Sequence, residues 1–158
     1  MRFVIQRVLE SSVTIDGEKK SEIGQGFLVL IGVSEKDTAM EESELLAVTH
    51  KMIRKTEKMR IFADENGKTN LALADVGGSV MLVSQFTLFA DCKKGNRPSF
   101  TAAGEPAKSK EIYNYIVQQF IEKLGENRVG TGSFGADMKV SLVNDGPFTV
   151  VLDSDEIM

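Results

Sequence analysis

A glycine–proline pair, Gly146-Pro147, stands inside a stretch that otherwise reads as strand, with Val140 to Val143 before it and Phe148 to Leu152 after it. Proline has no N–H to give to a sheet ladder and is kept out of central strands. The chain must therefore turn here, for which Asn144-Asp145-Gly146-Pro147 is good chemistry, or keep this segment out of the middle of a sheet. A second segment also breaks a local rule. Ser79 to Ala90 reads as one strongly apolar strand, yet Ser84, Gln85 and Thr87 lie within it. Residues two apart in a strand share a face. Val80, Leu82, Ser84, Phe86 and Leu88 fall on one side; Met81, Val83, Gln85, Thr87 and Phe89 fall on the other. Gln85 and Thr87 thus project together from an apolar surface, where polar groups need partners. A strand end rising to solvent accounts for them equally well. Breaks of this kind are expected where function lives.

The remaining elements frame these two. Phe3 to Ile15 reads as a long strand, and Asp16-Gly17 is a strong hairpin signal. A short strand ends near Gly24, and Gly26 to Val33 forms a third. Thr38 to Thr56 predicts a helix with Leu45, Thr49, Met52 and Ile53 inward. Met59 to Phe62 is a short strand, Glu65-Asn66-Gly67 a turn, and Asn70 to Asp75 is ambiguous. Gly95 to Gly104 reads as loop. Glu105 to Leu124 predicts the second long helix, with Pro106 in its first turn and Ile112, Tyr115, Ile116, Phe120 and Leu124 inward. With no repeat or linker in its 158 residues, the chain is expected to be a single domain spanning 1–158. Its class is α+β: mainly antiparallel sheets curled into a barrel-like core, with two long helices.

Charge and composition exclude several functions. The net charge of −4 and pI of about 5.1 argue against a general nucleic-acid coat but leave room for recognition of one nucleic-acid end. Lys93, Lys94 and Arg97, directly after the apolar strand, form one local basic patch, although a solvated turn explains it too. No apolar run approaches a membrane span, and Glu10 and Asp16 interrupt any leader-like run. With Cys92 as the one cysteine, the cytoplasm is the expected compartment. One histidine and one cysteine cannot build a usual zinc site, so neither metal nor cofactor is expected.

The segments Ser84-Gln85-Phe86-Thr87-Leu88 and Asn144-Asp145-Gly146-Pro147-Phe148-Thr149 together resemble the SQFTL and NxGPxT signatures of the D-aminoacyl-tRNA deacylase family. Gln6-Arg7-Val8, Asn96-Arg97-Pro98-Ser99-Phe100 and Phe134-Gly135-Ala136-Asp137-Met138 extend the resemblance over nearly the whole chain. It implies a homodimer that cleaves D-amino acids, and to some degree glycine, from the 3′ end of tRNA, with the active site at the subunit interface. It implies a cis Gly146-Pro147 bond whose carbonyls reach into the partner's site and exclude L side chains by clash. Arg7 would brace those carbonyls, and Ser84 would border the substrate. The backbone N–H groups of Phe86 and Thr87 would stabilise the oxyanion, with Gln85 shaping the pocket and the ribose 2′-OH helping to activate water. Lys93, Lys94 and Arg97 would meet acceptor-end phosphates. Phe134 would contact the terminal adenine, though packing into the core accounts for it as well.

Other readings have less support. Gly130-Thr131-Gly132-Ser133-Phe134-Gly135 spells G-x-G-x-x-G but leads into a strand pattern rather than a helix, so it reads as loop. His50, the one histidine, sits in the first predicted helix and offers no base to Thr87, which leaves a Ser or Thr nucleophile poorly supported. Two alternatives remain: a non-catalytic nucleic-acid-binding relative of the same fold, and a small-molecule esterase or amidase with a Thr or Ser nucleophile.

Overall fold

The computed structural model describes Met1–Met158. The chain opens with a strand, β1 (Arg2–Ile15), that turns at Asp16-Gly17 into β2 (Glu18–Ile23). Both turn residues have positive φ, 51° and 80°, as a primed two-residue hairpin turn requires. Then come β3 (Gly26–Gly32), α1 (Glu35–Ala39), α2 (Glu42–Glu57), β4 (Phe62–Ala63), β5 (Thr69–Leu71) and β6 (Ser79–Ser84). A 3-10 turn (Phe86–Phe89) and a long loop lead to α3 (Pro106–Leu124), β7 (Val129–Thr131), β8 (Lys139–Asp153) and α4 (Ser154–Ile157). Two of the helices are long, as expected. The first predicted helix is split, because Ser34 caps a separate short helix through the Asp37 N–H and the chain is extended at Met40 and Glu41. Its expected inner residues Leu45, Thr49, Met52 and Ile53 are all buried.

The main sheet runs β2-β1-β3-β6-β7, with β8 on the far side of β1. Its β1 pairings are antiparallel, whereas β3-β6 and β6-β7 are parallel. Connections through helices carry the chain back for these parallel pairs, so the pairing is mainly antiparallel, as expected, with a parallel portion at β3-β6-β7. It curls until β2 faces β7, where Ser21 Oγ donates to the Thr131 carbonyl at 2.7 Å. Only a small gap then separates the sheet from a closed barrel.

The central strands bury both faces, and so read as nearly continuous apolar runs. Phe27, Val29 and Ile31 with Val80 and Leu82 join Phe3, Ile5, Met52, Ile116 and Phe120 in the larger core against the helices. Leu28, Met81 and Val83 turn the other way and meet Val8, Val13 and Ile23. Burying a Phe, Leu or Val side chain contributes about 1.5–3 kcal/mol. The inner face of α3 is corrected at one position: Tyr113 is buried, and Tyr115 is half-exposed and bonded to His50. Tyr113 lies three residues before Ile116 and seven before Phe120, the spacing of one helical face.

Candidate active site

The apolar run does not stay extended to Ala90. The Gln85 N–H makes the last rung, to the Ile31 carbonyl at 2.7 Å, and β3 ends one residue later. With no neighbour left to pair, the chain tightens into the 3-10 turn. The strict alternation expected beyond Ser84 is therefore lost. Phe86 and Thr87 are exposed, Gln85 is half-buried, and Gln85 Nε2 donates to Thr87 Oγ1 at 2.7 Å. The first hydrogen bond of the turn runs from Leu88 N to the Gln85 carbonyl at 3.3 Å. The two N–H groups before it, of Phe86 and Thr87, are left without a backbone acceptor, as at any helical start. These are the two groups named from the sequence as candidate oxyanion donors, and they lie in a turn, not in a strand.

Beside this turn lies a cleft of about 770 Å³, a volume suited to a small ligand or the end of a larger one. Ser84, Gln85 and Phe86 form one wall. Phe100, Glu105, Tyr113 of α3 and Phe134 of the β7–β8 loop are also among its lining residues. The Phe86 and Phe100 rings meet edge to face at 5.2 Å between centroids. Phe134 packs against the larger core and also lines the cleft. Tyr113 donates to the Leu82 carbonyl at 2.8 Å, and burial pushes its pKa up to about 12, so it is a neutral phenol. Glu105 caps α3: the N–H groups of Lys108 and Ala107 hold its carboxyl below the usual range, which keeps it ionised. Sequence reasoning did not identify Phe100, Glu105 or Tyr113 as wall residues. Tyr113 carried a detectable signal in its helical spacing; the other two are set by how the loop folds back.

That loop carries the basic patch. Reciprocal bonds between Asp91 and Ser99, at 2.7 and 2.9 Å, close its base. Lys93, Lys94 and Arg97 are exposed on it, and none of them forms an ion pair. The loop runs from the 3-10 turn to Phe100, so both of its ends adjoin the cleft, while the three cations are not among the lining residues.

Gly146-Pro147 does not end a strand. β8 continues through it, and the peptide bond is cis. Gln6 pairs with Thr149 and Val8 with Asn144, so residues 145–148 stand opposite the single residue Arg7 and bulge from the sheet. Asn144 pins the base of the bulge, accepting from Phe148 N at 2.7 Å and donating to Gln6 Oε1 at 2.7 Å. Arg7 is 14% exposed. It braces the segment at a different carbonyl from the ones expected: Nε donates to Asp145 O at 2.9 Å and Nη1 to Ile61 O at 2.5 Å. Its guanidinium also lies 4.7 Å from the centre of the Phe148 ring. Gly146 and Pro147 are exposed and take no part in the cleft of their own chain.

The other titratable groups stand apart. His50 Nε2 and the Tyr115 hydroxyl are 2.6 Å apart on the helical side, away from Thr87. Cys92 is exposed, and nowhere do three His, Cys, Asp or Glu side chains converge.

Comparison with known proteins gives a consistent picture. The pattern of the family D-Tyr-tRNA(Tyr) deacylase matches residues 4–153. The D-aminoacyl-tRNA deacylase of Lactobacillus gasseri is 54% identical over 153 residues, 97% of this chain and 99% of that protein. That of Parabacteroides distasonis is 49% identical, over 98% of this chain and 97% of its own. Among solved structures, the c-Myc DNA unwinding element binding protein superposes with a TM-score of 0.85 at 36% identity, over 97% of this chain and 98% of that one. A probable eukaryotic D-amino acid tRNA deacylase shares the fold at a TM-score of 0.80 and 17% identity, over 96% of this chain and 97% of the other.

Proposed function

The chain belongs to the D-Tyr-tRNA(Tyr) deacylase family, and from that premise we propose how it hydrolyses the ester bond of D-aminoacyl-tRNA to free tRNA and D-amino acid. One observation carries the reading: two free backbone N–H groups, of Phe86 and Thr87, lie at the edge of a cleft with no histidine near them. Water adds to the ester carbonyl carbon, and the resulting oxyanion accepts from those N–H groups. Collapse expels the ribose 3′-oxygen, which leaves with a proton. An aminoacyl ester is already labile, so orientation and oxyanion donors are sufficient. The ribose 2′-OH helps to hold the attacking water, Gln85 and Ser84 shape the wall, Phe134 contacts the terminal adenine, and Lys93, Lys94 and Arg97 meet phosphates.

Chirality is set by the carbonyls of Gly146 and Pro147, which leave room for a hydrogen on the substrate Cα but not for an L side chain. Glycine, with no side chain, passes in part. Their separation from the cleft of their own chain supports delivery by a second subunit. So does β8, which pairs on one side only and exposes Val143 and Val151; unpaired edges of this kind invite a partner strand. No helix is long and apolar enough to cross a membrane, and a substrate of this kind fits the cytoplasm.

The test is deacylation of matched D-tyrosyl- and L-tyrosyl-tRNA by the purified protein with a chelator present. Release from the D form alone is expected. Release from neither by a folded protein would overturn the reading. A second reading, nucleic-acid binding without turnover, draws on the name of the c-Myc DNA unwinding element binding protein. It requires tRNA binding with no deacylation.

A further inference from the structure

The 3-10 turn that carries the donor pair is poorly anchored by its own side chains. None of its residues is buried, and Phe86 is 57% exposed. Packing from below is backbone-close: a Cβ on Gly32 would lie 3.0 Å from Leu88 Cβ and 3.2 Å from the Gln85 carbonyl. The far end of the turn is held from outside. Arg2 Nη1 donates to the Leu88 carbonyl at 2.8 Å, while Nε and Nη2 donate to Asp153 Oδ2 at 2.8 and 2.6 Å. The guanidinium also stands 5.0 Å from the centre of the Phe89 ring. Asp153 is fixed in turn, because its other oxygen accepts from Asp155 N at 3.1 Å and starts α4. Burial works to raise the Asp153 pKa, but the Arg2 hydrogen bond and charge with the Asp155 N–H outweigh it, so the carboxylate stays charged.

We propose that Arg2 is a positioning residue for the hydrolysis: by clamping the Leu88 carbonyl to Asp153, it holds the Phe86 and Thr87 N–H groups in the geometry of the oxyanion. The inference rests on the assignment of those N–H groups above. It follows from the reach of the fork. A guanidinium has donors enough to satisfy a carbonyl and a carboxylate at once, in fixed relative directions. The tie joins the start of β1 and the end of β8 to a segment of the cleft wall that lacks buried side chains. Arg2 touches no part of the cleft itself, so its effect passes through the turn.

The experiment compares the full chain with its Arg2→Met and Arg2→Lys variants. Three quantities are read: kcat on D-tyrosyl-tRNA, binding of a non-hydrolysable 3′-amide-linked D-tyrosyl-adenosine, and Tm. Arg2→Met keeps the aliphatic stem. Loss of alignment is expected to lower kcat about 10- to 100-fold, with analogue binding within about twofold, because only a transition-state interaction is lost. Arg2→Lys, which can reach one acceptor but not both, should recover part of kcat. A folded Arg2→Met whose kcat stays within about threefold of the parent overturns the proposal. So does a fall in kcat matched by an equal fall in analogue binding. Should Arg2→Met fail to fold, Asp153→Asn carries the same test, since it removes the charge that fixes Arg2. An unaltered chain that releases no D-tyrosine overturns the function and this role together. An active parent beside an unimpaired Arg2→Met overturns this role alone.

Discussion

Arg7→Met offers the sharpest separation of scaffold from selection. Arg7 makes two charge-assisted bonds to carbonyls, at Asp145 and Ile61, and stacks on Phe148. A hydrogen bond to a charged group contributes about 1.5–3 kcal/mol when buried, and the cation–π contact roughly 0.5–1 kcal/mol at a partly wet site. The two carbonyls are not equal. Ile61 is buried, so its oxygen would be left unpaired; Asp145 is half-exposed, so water replaces its bond at little cost. The ion pair to Asp145 Oδ2, at 3.4 Å with the acid 39% exposed, adds little. A loss of about 3 kcal/mol is expected, or about 6–12 °C in Tm for a domain of this size. Urea unfolding at fixed protomer concentration measures it, since any dimer makes stability concentration-dependent. The functional half follows from the same bonds. With Arg7 gone, residues 145–148 lose their brace and the Gly146-Pro147 carbonyls can yield, so L-tyrosyl-tRNA is hydrolysed faster relative to D. A variant destabilised as expected but with unchanged D/L discrimination would show that Asn144 alone fixes the bulge. A variant of unchanged stability would refute the hydrogen-bond reasoning itself.

Thr87→Ala should keep deacylation within about tenfold of the parent, because the Thr87 contribution is its N–H; near-total loss with folding intact would make the hydroxyl a catalytic group. Tyr113 ionises near pH 10 when unfolded and at about 12 when folded. Its contribution is therefore complete below pH 10 and is lost as pH rises through about 12, a decline of about 2–3 kcal/mol in stability. Tyr113→Phe should abolish that alkaline decline in urea titrations while costing about 1 kcal/mol at neutral pH for the bond to Leu82. Replacing Lys93, Lys94 and Arg97 with alanine should weaken tRNA binding equally for D and L forms. The same change should reduce the salt slope by about 2, at roughly 0.7 per single-strand phosphate contact; an unchanged slope would place the tRNA elsewhere.

Local rules made much of this molecule legible. Asp16-Gly17 announced a hairpin because a primed turn needs positive φ at both positions. The apolar runs at Gly26 and Ser79 announced strands, and Pro106, suited to a first turn, marked the start of α3. Ser84 to Leu88 and Gly146-Pro147 were conspicuous for the same reason: each violates a rule that depends only on neighbouring residues. What depended on distant residues was not legible. The 3-10 turn at Phe86 exists because β3 ends at Gly32, a fact about another strand. β6 is parallel to its neighbours because helices intervene, which no alternation pattern encodes. Arg7 meets Asp145 and Ile61, and Arg2 meets Leu88 and Asp153, because segments far apart in sequence are brought within hydrogen-bond reach. The sequence by itself determined which residues break the local rules and hence which segments are candidates for the chemistry. Only the tertiary structure decided what braces those residues, since a brace is a distance between segments that no single segment contains.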